Sequence, residues 1–345
     1  MAFGGGESGE GEVSGAAARE SLTISWSSVA EALASVLPSP ELLSFSTGVP
    51  VGHPRYHHAQ SIQRSCEGER CHYLVTTSEV GAAGLWVVDP EGRAQHLVLD
   101  ASMPGGELLT HAGGSQLQGS LLAVSLSDRA AGLSRPAEGC GVSEIGPSCL
   151  GAVLFYDVSN PLSPRRRREL DLFFDLCGAG DATRFPARDV QAVGFAPEGD
   201  GYTAVVLVSR SELQRFHFSG RSWEAPSSFA VPREWDNQCA GDSRWCWPAS
   251  INLYAEGDGL TLLTFGREAD RERVARYSVA SAPFAIELQS TTYLNPSPQT
   301  HMGAVGGSHL GPNGALTVLA ASEHFCDDGT CMCTGPTQIA IYASR

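Results

Sequence analysis

The sequence predicts an all-β chain, a five-bladed β-propeller, on three observations. First, one strand phrase recurs five times, as His72-Tyr-Leu-Val-Thr-Thr-Ser-Glu79, Leu121-Leu-Ala-Val-Ser-Leu-Ser-Asp128, Thr203-Ala-Val-Val-Leu-Val-Ser-Arg210, Leu260-Thr-Leu-Leu-Thr-Phe-Gly-Arg267 and Leu316-Thr-Val-Leu-Ala-Ala-Ser-Glu323. Each copy is an apolar run that ends on a small residue and then a charge. Second, the phrases mark repeats of about 50 residues, each holding several short strands, the periodicity of propeller blades. Third, the last unit runs out of chain one strand early, and an unassigned strand-like run, Leu42-Leu-Ser-Phe-Ser-Thr47, precedes the first. Pairing that run into the last blade closes the ring and hides two sheet edges.

Each blade is expected to open on an innermost strand: His58 to Gln63, His111 to Gln116, Ala187 to Gln191, Pro248 to Asn252 and His301 to Val305. Small residues and an amide recur there, as suits strands crowded around an axis. The recurring phrase is the second strand. The third carries an aromatic before a turn, as in Leu85-Trp-Val-Val88 and Ala275-Arg-Tyr-Ser-Val279. Outer strands follow at 96–99, 169–173, 228–231 and 286–289. Residues 1–37 read as a flexible Gly/Ser/Glu-rich segment containing a short helix from Ser27 to Leu37, where Val29, Leu33 and Val36 recur at helical spacing and Pro38 ends the run. Residues 38–345 read as the propeller.

The 345 residues include 39 glycines and 20 prolines, and 42% are hydrophobic, enough for one large closed domain. The net charge of −15 argues against nucleic acid and anionic membrane surfaces as partners. One basic run, Arg165-Arg-Arg-Arg168, is an exception that reads as a solvated guard on an edge strand. No stretch has the length of a membrane span. Ten cysteines occur largely as close pairs, Cys66 with Cys71, Cys140 with Cys149 and Cys239 with Cys246. A cluster of Cys326, Cys331 and Cys333 follows, and Cys177 is left over. Short-range pairs in loops imply disulfides and an oxidising, extracytoplasmic compartment. A zinc site is the rival reading of the last cluster. The opening stretch has no apolar signal core, so secretion requires a leader absent from this chain. That stretch resembles the tether behind the lipid anchor of bacterial lipoproteins, with an ordinary tail as the alternative. The segment Tyr156-Asp-Val-Ser-Asn-Pro-Leu-Ser-Pro164 resembles the LVIVD-type repeat of bacterial secreted propellers. That likeness implies the fold and no activity.

Propeller geometry of this kind places the loops entering innermost strands and those leaving second strands on one face. Four long stretches, 128–150, 175–187, 232–247 and 323–336, then crowd that face, as a binding surface requires. His58, His111 and His301 begin three innermost strands in one register and converge at the axis. Three imidazoles with an open position suit one divalent transition metal, or metal-free acid–base work, or a hydrated channel lining. Asp189, Glu79, Asp128 and Glu323 are the supporting acids. Arg188, Arg210, Arg267, Gln63, Gln116 and Trp247 are the candidate substrate contacts; guanidinium groups clamp carboxylate or phosphate, and the tryptophans of 232–248 suit stacking on a sugar or form a cluster that pins the loop. Walker glycine loops, His-Glu-x-x-His helices and serine elbows are absent. The expected function is an extracytoplasmic, monomeric propeller enzyme, a hydrolase or lyase acting on a small polar or glycan-like substrate. The alternative is a non-catalytic cell-surface module that binds a protein or carbohydrate.

Overall fold

The computed structural model describes residues 26–46, 58–79, 82–127, 149–178, 183–209, 211–232, 235, 248, 250–268, 270–281, 284–322 and 337–344. The first strand is β1 (Glu41–Phe45). Blade one holds β2 (His58–Glu67), β3 (Arg70–Glu79), β4 (Ala82–Val88) and β5 (Ala94–Val98). Blade two holds β6 (His111–Gln118), β7 (Leu121–Ser127), β8 (Leu150–Asp157) and β10 (Leu172–Asp175), with two-residue strands β9 (Arg165–Arg166) and β11 (Phe185–Pro186) at its rim. Blade three is β12 (Ala192–Glu198), β13 (Gly201–Ser209), β14 (Glu212–Phe218) and β15 (Ser227–Ala230). Blade four is β16 (Ile251–Glu256), β17 (Gly259–Glu268), β18 (Arg271–Ser281) and β19 (Phe284–Leu294). Blade five is β20 (Gly306–Leu310), β21 (Leu316–Ala321) and β22 (Thr337–Ala343). Its missing outer strand is β1, which runs antiparallel to β22 with Leu43 opposite Ile339.

The blades form a closed ring because each is apolar on both faces. Strand side chains alternate, so Leu74 of β3 packs toward blade two while Val75 packs toward blade five. Five apolar clusters result, one in each seam between neighbouring blades, including the seam of blades five and one, where Phe45, Ile62, Val75 and Leu319 meet. Helix α1 (Trp26–Ala34) lies over the seam of blades four and five, with Val29 and Leu33 buried against Tyr254 and Tyr342. The buried Glu256 carboxylate accepts the Val29 amide at 2.9 Å and holds the helix start.

Three innermost strands start later than the sequence suggested, at Ala192, Ile251 and Gly306. Residues 301–305 form a turn, because Ala304 and Val305 both donate their amides back to the His301 carbonyl. The small residues were read for the right reason. A Cβ on Gly113 would meet the Gln191 carbonyl oxygen at 2.3 Å, and one on Gly307 the Ile62 oxygen at 1.7 Å. The basic run is not uniformly solvated. Arg166 is buried and bonds Asp171 at 2.8 Å and the Ser102 carbonyl at 2.6 Å, tying blade two to the chain leaving blade one. The segment that resembled the LVIVD-type repeat leaves β8 through side-chain-stabilised turns, with Asp157 accepting the Ser159 amide and Asn160 the Leu162 amide.

The Cys66–Cys71 disulfide forms as expected across the β2–β3 hairpin. Cys149, by contrast, bonds Cys177 and not Cys140, since β8 and β10 run side by side and bring both residues to one end of the sheet. Cys140, Cys239, Cys246, Cys326, Cys331 and Cys333 lie outside the described residues.

Candidate functional site at the axial mouth

Innermost strands begin, and second strands end, at one end of the ring, here called the mouth. His58 lies opposite Ser78, and His111 opposite Ser127. The Asp189 amide bonds the Val208 carbonyl at 2.8 Å, and the His301 amide bonds the Ala321 carbonyl at 3.1 Å. Four blades thus bring a titratable side chain to the mouth, as the common register predicted. The reach of each one differs.

His58 is close enough to affect the charge of His111. Burial pushes the His111 imidazole down to about 4, nearby His58 adds to that fall, and Asp189 opposes it. At neutral pH His111 is therefore uncharged. Its Nδ1 lies 3.1 Å from the Ser78 hydroxyl, which also bonds the Ala112 carbonyl at 3.0 Å. On His58, Nδ1 lies 2.8 Å from the Gln60 side-chain nitrogen. The Asp189 carboxylate accepts the Val190 amide at 2.8 Å and the Gln191 side-chain amide at 3.1 Å. His58 and Asp189, from two other blades, thus both act on the charge of His111.

His301 makes a local bond. Its Nδ1 accepts the Ala304 amide at 3.0 Å, so the ring caps its own turn. Among the described residues, no group of three or more His, Cys, Asp or Glu is placed to hold a metal ion. On each of the three imidazoles, Nδ1 lies within hydrogen-bond distance of a neighbour.

The two glutamines nominated as substrate contacts sit one storey below, fully buried. Gln63 donates to the Ser115 carbonyl at 2.8 Å. Gln116 accepts the amides of Phe195 and Leu253, both at 2.7 Å, and donates to the Leu253 carbonyl at 2.7 Å. Asn252 accepts the amide and the hydroxyl of Ser308, each at 2.8 Å. These side chains staple innermost strands across the axis. Sequence reasoning mistook a structural amide for a binding one because both carry the same small-plus-amide signature.

Arg188 is exposed beside Asp189. Arg267 faces Glu272, which lies opposite it in the β17–β18 ladder. Glu272 is fully buried; burial pushes its carboxyl up to about 7, and Arg267 pulls against that rise. It accepts the Met302 amide at 3.2 Å, while its Oε1 has no partner. The sequence did show this residue, since Glu272 keeps step with buried Val274. Ser78 was visible too, as the small residue of the recurring phrase that was passed over for the charge behind it. Trp235 is buried and donates to the Tyr277 hydroxyl at 2.8 Å. Asp128, Arg210, Glu323, Trp245 and Trp247 lie outside the described residues, and Glu79 is described only in its backbone.

No family model matches the chain, the LVIVD-type repeat included, and no curated protein matches it. Solved structures similar to it include the catalytic domain of a GH62 alpha-L-arabinofuranosidase from Coprinopsis cinerea, 11% identical over 89% of this chain and 98% of that one, with a TM-score of 0.46. Another is the alpha-L-arabinofuranosidase of Podospora anserina in complex with cellotriose, at 8% identity, 90% and 99% coverage and a TM-score of 0.47. A thermostable family-43 glycoside hydrolase gives 9%, 87% and 92%, and 0.46. With TM-scores below 0.5, the fold assignment rests on the strand pairing above and not on these neighbours. What the coordinates establish is an all-β propeller of five blades, closed by its N-terminal strand.

Proposed function

We propose that the mouth is the working site of an extracytoplasmic propeller enzyme, a hydrolase or lyase acting on a small polar or glycan-like molecule. One observation carries the reading. His58, His111 and Asp189 arrive from three blades, and His111 responds to both of the others. Titratable groups that couple at a desolvated position are the usual materials of acid–base chemistry. The two described disulfides support an oxidising compartment. The structures named above are titled as glycan-acting enzymes. That fact sets the first substrates to try and carries no weight in the argument.

A second reading has its own observation. A base at about 4 gives up roughly 3 kcal/mol of proton affinity relative to an ordinary imidazole. That loss favours a recognition module whose mouth binds sugar without turning it over. The experiment is a turnover screen on oligosaccharides, neutral and acidic, with wild-type protein and His111→Ala. Product formation that falls at least about a hundredfold in the variant supports the enzyme. Binding that depends on His111 without any product establishes the recognition module.

A further inference from the structure

At the mouth end of blade four, two charged residues stand opposite each other and are not joined. Arg267 of β17 pairs directly with Glu272 of β18 in the antiparallel ladder, so their side chains share one face of the sheet. That face looks into the seam with blade five, since Glu272 keeps step with Val274 and its charge reaches Tyr342. Glu272 is fully buried. Its Oε2 accepts the Met302 amide at 3.2 Å, and its Oε1 is buried with no partner. Arg267 is half-buried, and its guanidinium makes no hydrogen bond or ion pair with a described residue. The other ionisable groups around them are engaged elsewhere. Arg273 lies 3.6 Å from Glu268, and Arg271 stands 4.5 Å from the centre of the Tyr293 ring. Tyr342 spends its one hydroxyl proton on the Asn295 carbonyl at 2.7 Å. His301, next in the chain to Met302, turns its Nδ1 to the Ala304 amide.

We infer that Arg267 and Glu272 are the two halves of a proton-operated latch, in which Arg267 closes on Glu272 Oε1 when the carboxyl is ionised and is released when it is protonated. Because Oε2 accepts an amide, the proton belongs on Oε1. A buried oxygen that lacks a donor is tolerable on a neutral acid and costly on a carboxylate. The unjoined arrangement is therefore the protonated one. Burial pushes the carboxyl up to about 7, while Arg267 and then the Met302 amide pull it back, so the exchange falls at neutral pH. Loss of the proton gives the guanidinium the carboxylate oxygen it lacks, within reach of a long side chain on the facing strand. The same carboxyl holds the Met302 amide, so the 301–305 turn that brings His301 to the mouth is tied to the latch. The latch operates whether or not the mouth turns over a substrate.

The test is carbon and nitrogen NMR of the full chain, with the Glu272 carboxyl and the Arg267 Nε–H assigned through the backbone. The carboxyl is expected to titrate near pH 7, and the Arg267 signal should shift with the same midpoint. Relative to its intrinsic rate, the Nε–H should exchange with water at least about tenfold more slowly above pH 8 than below pH 6. In Glu272→Gln the Arg267 signal should keep its low-pH position throughout. Arg267→Gln should raise the Glu272 midpoint by about one unit, and Arg267→Lys, which keeps the charge, by less. A Glu272 carboxyl that titrates near the ordinary 4.5, or an Arg267 signal indifferent to that titration, would overturn the inference. Both of those readings come from the wild-type protein, so they decide the matter even where a variant does not fold.

Discussion

Two storeys of the same strand behave in opposite ways. Gln116 and His111 both belong to β6, five positions apart, and both are polar residues near the axis. Gln116 is fully buried and bonded on both its amide atoms by two other blades. His111 is bonded on one ring nitrogen and open on the other. The lower storey uses polarity to lock the ring of blades, since buried amides of this kind are costly only when left unpaired. The upper storey holds a polar atom whose partner the protein does not supply. Depth along one strand thus separates polar atoms that the fold pairs from one that it leaves open, and residue type does not.

The sharpest way to break this comparison is Gln116→Ala. It strips partners from the Phe195 and Leu253 amides. At about 1–3 kcal/mol for each buried group left unpaired, a loss of about 3–5 kcal/mol is expected in denaturant titration. A loss below 1 kcal/mol would mean the hub does not depend on its amides. Phe45→Ala tests the closing seam by emptying a buried ring from the outer strand of blade five. It should cost about 3 kcal/mol and lower Tm without altering any ligand response. His111→Ala should do the reverse, removing ligand binding at the mouth while stability at pH 7 changes by less than about 1 kcal/mol.

Two buried groups give pH dependences of opposite sign. The His111 pKa falls on folding, so its contribution is present above the unfolded value near 6.5 and lost as pH drops through about 4. The Glu272 pKa rises on folding, so its contribution is present below about 4.5 and lost as pH climbs through about 7. Melting temperatures across pH 4–8 should show both limbs. Glu272→Gln should flatten the rise-of-pH limb alone, and His111→Ala the acid limb alone.

Much of this was legible in the sequence. The five phrases, the short last blade and the run at Leu42 specify the ring and its closure, because alternating apolar residues and an unpaired edge leave few other solutions. The convergence of His58, His111 and Asp189 followed from register alone. What register cannot show is where a side chain's second hydrogen bond goes. That is why Gln63 and Gln116 were taken for contacts and why Ser78 was overlooked. The Cys149 partner was misjudged for a related reason, since nearness in sequence lost to nearness of two adjacent strands.

The central claim is that the mouth, and not the hub or the outer rim, receives the ligand. A crystal structure of the protein soaked with a neutral oligosaccharide tests it most directly. The account predicts sugar density at the mouth, with a hydroxyl within hydrogen-bond distance of His111 Nε2. Density seated only elsewhere on the propeller, with both imidazoles untouched, would contradict it.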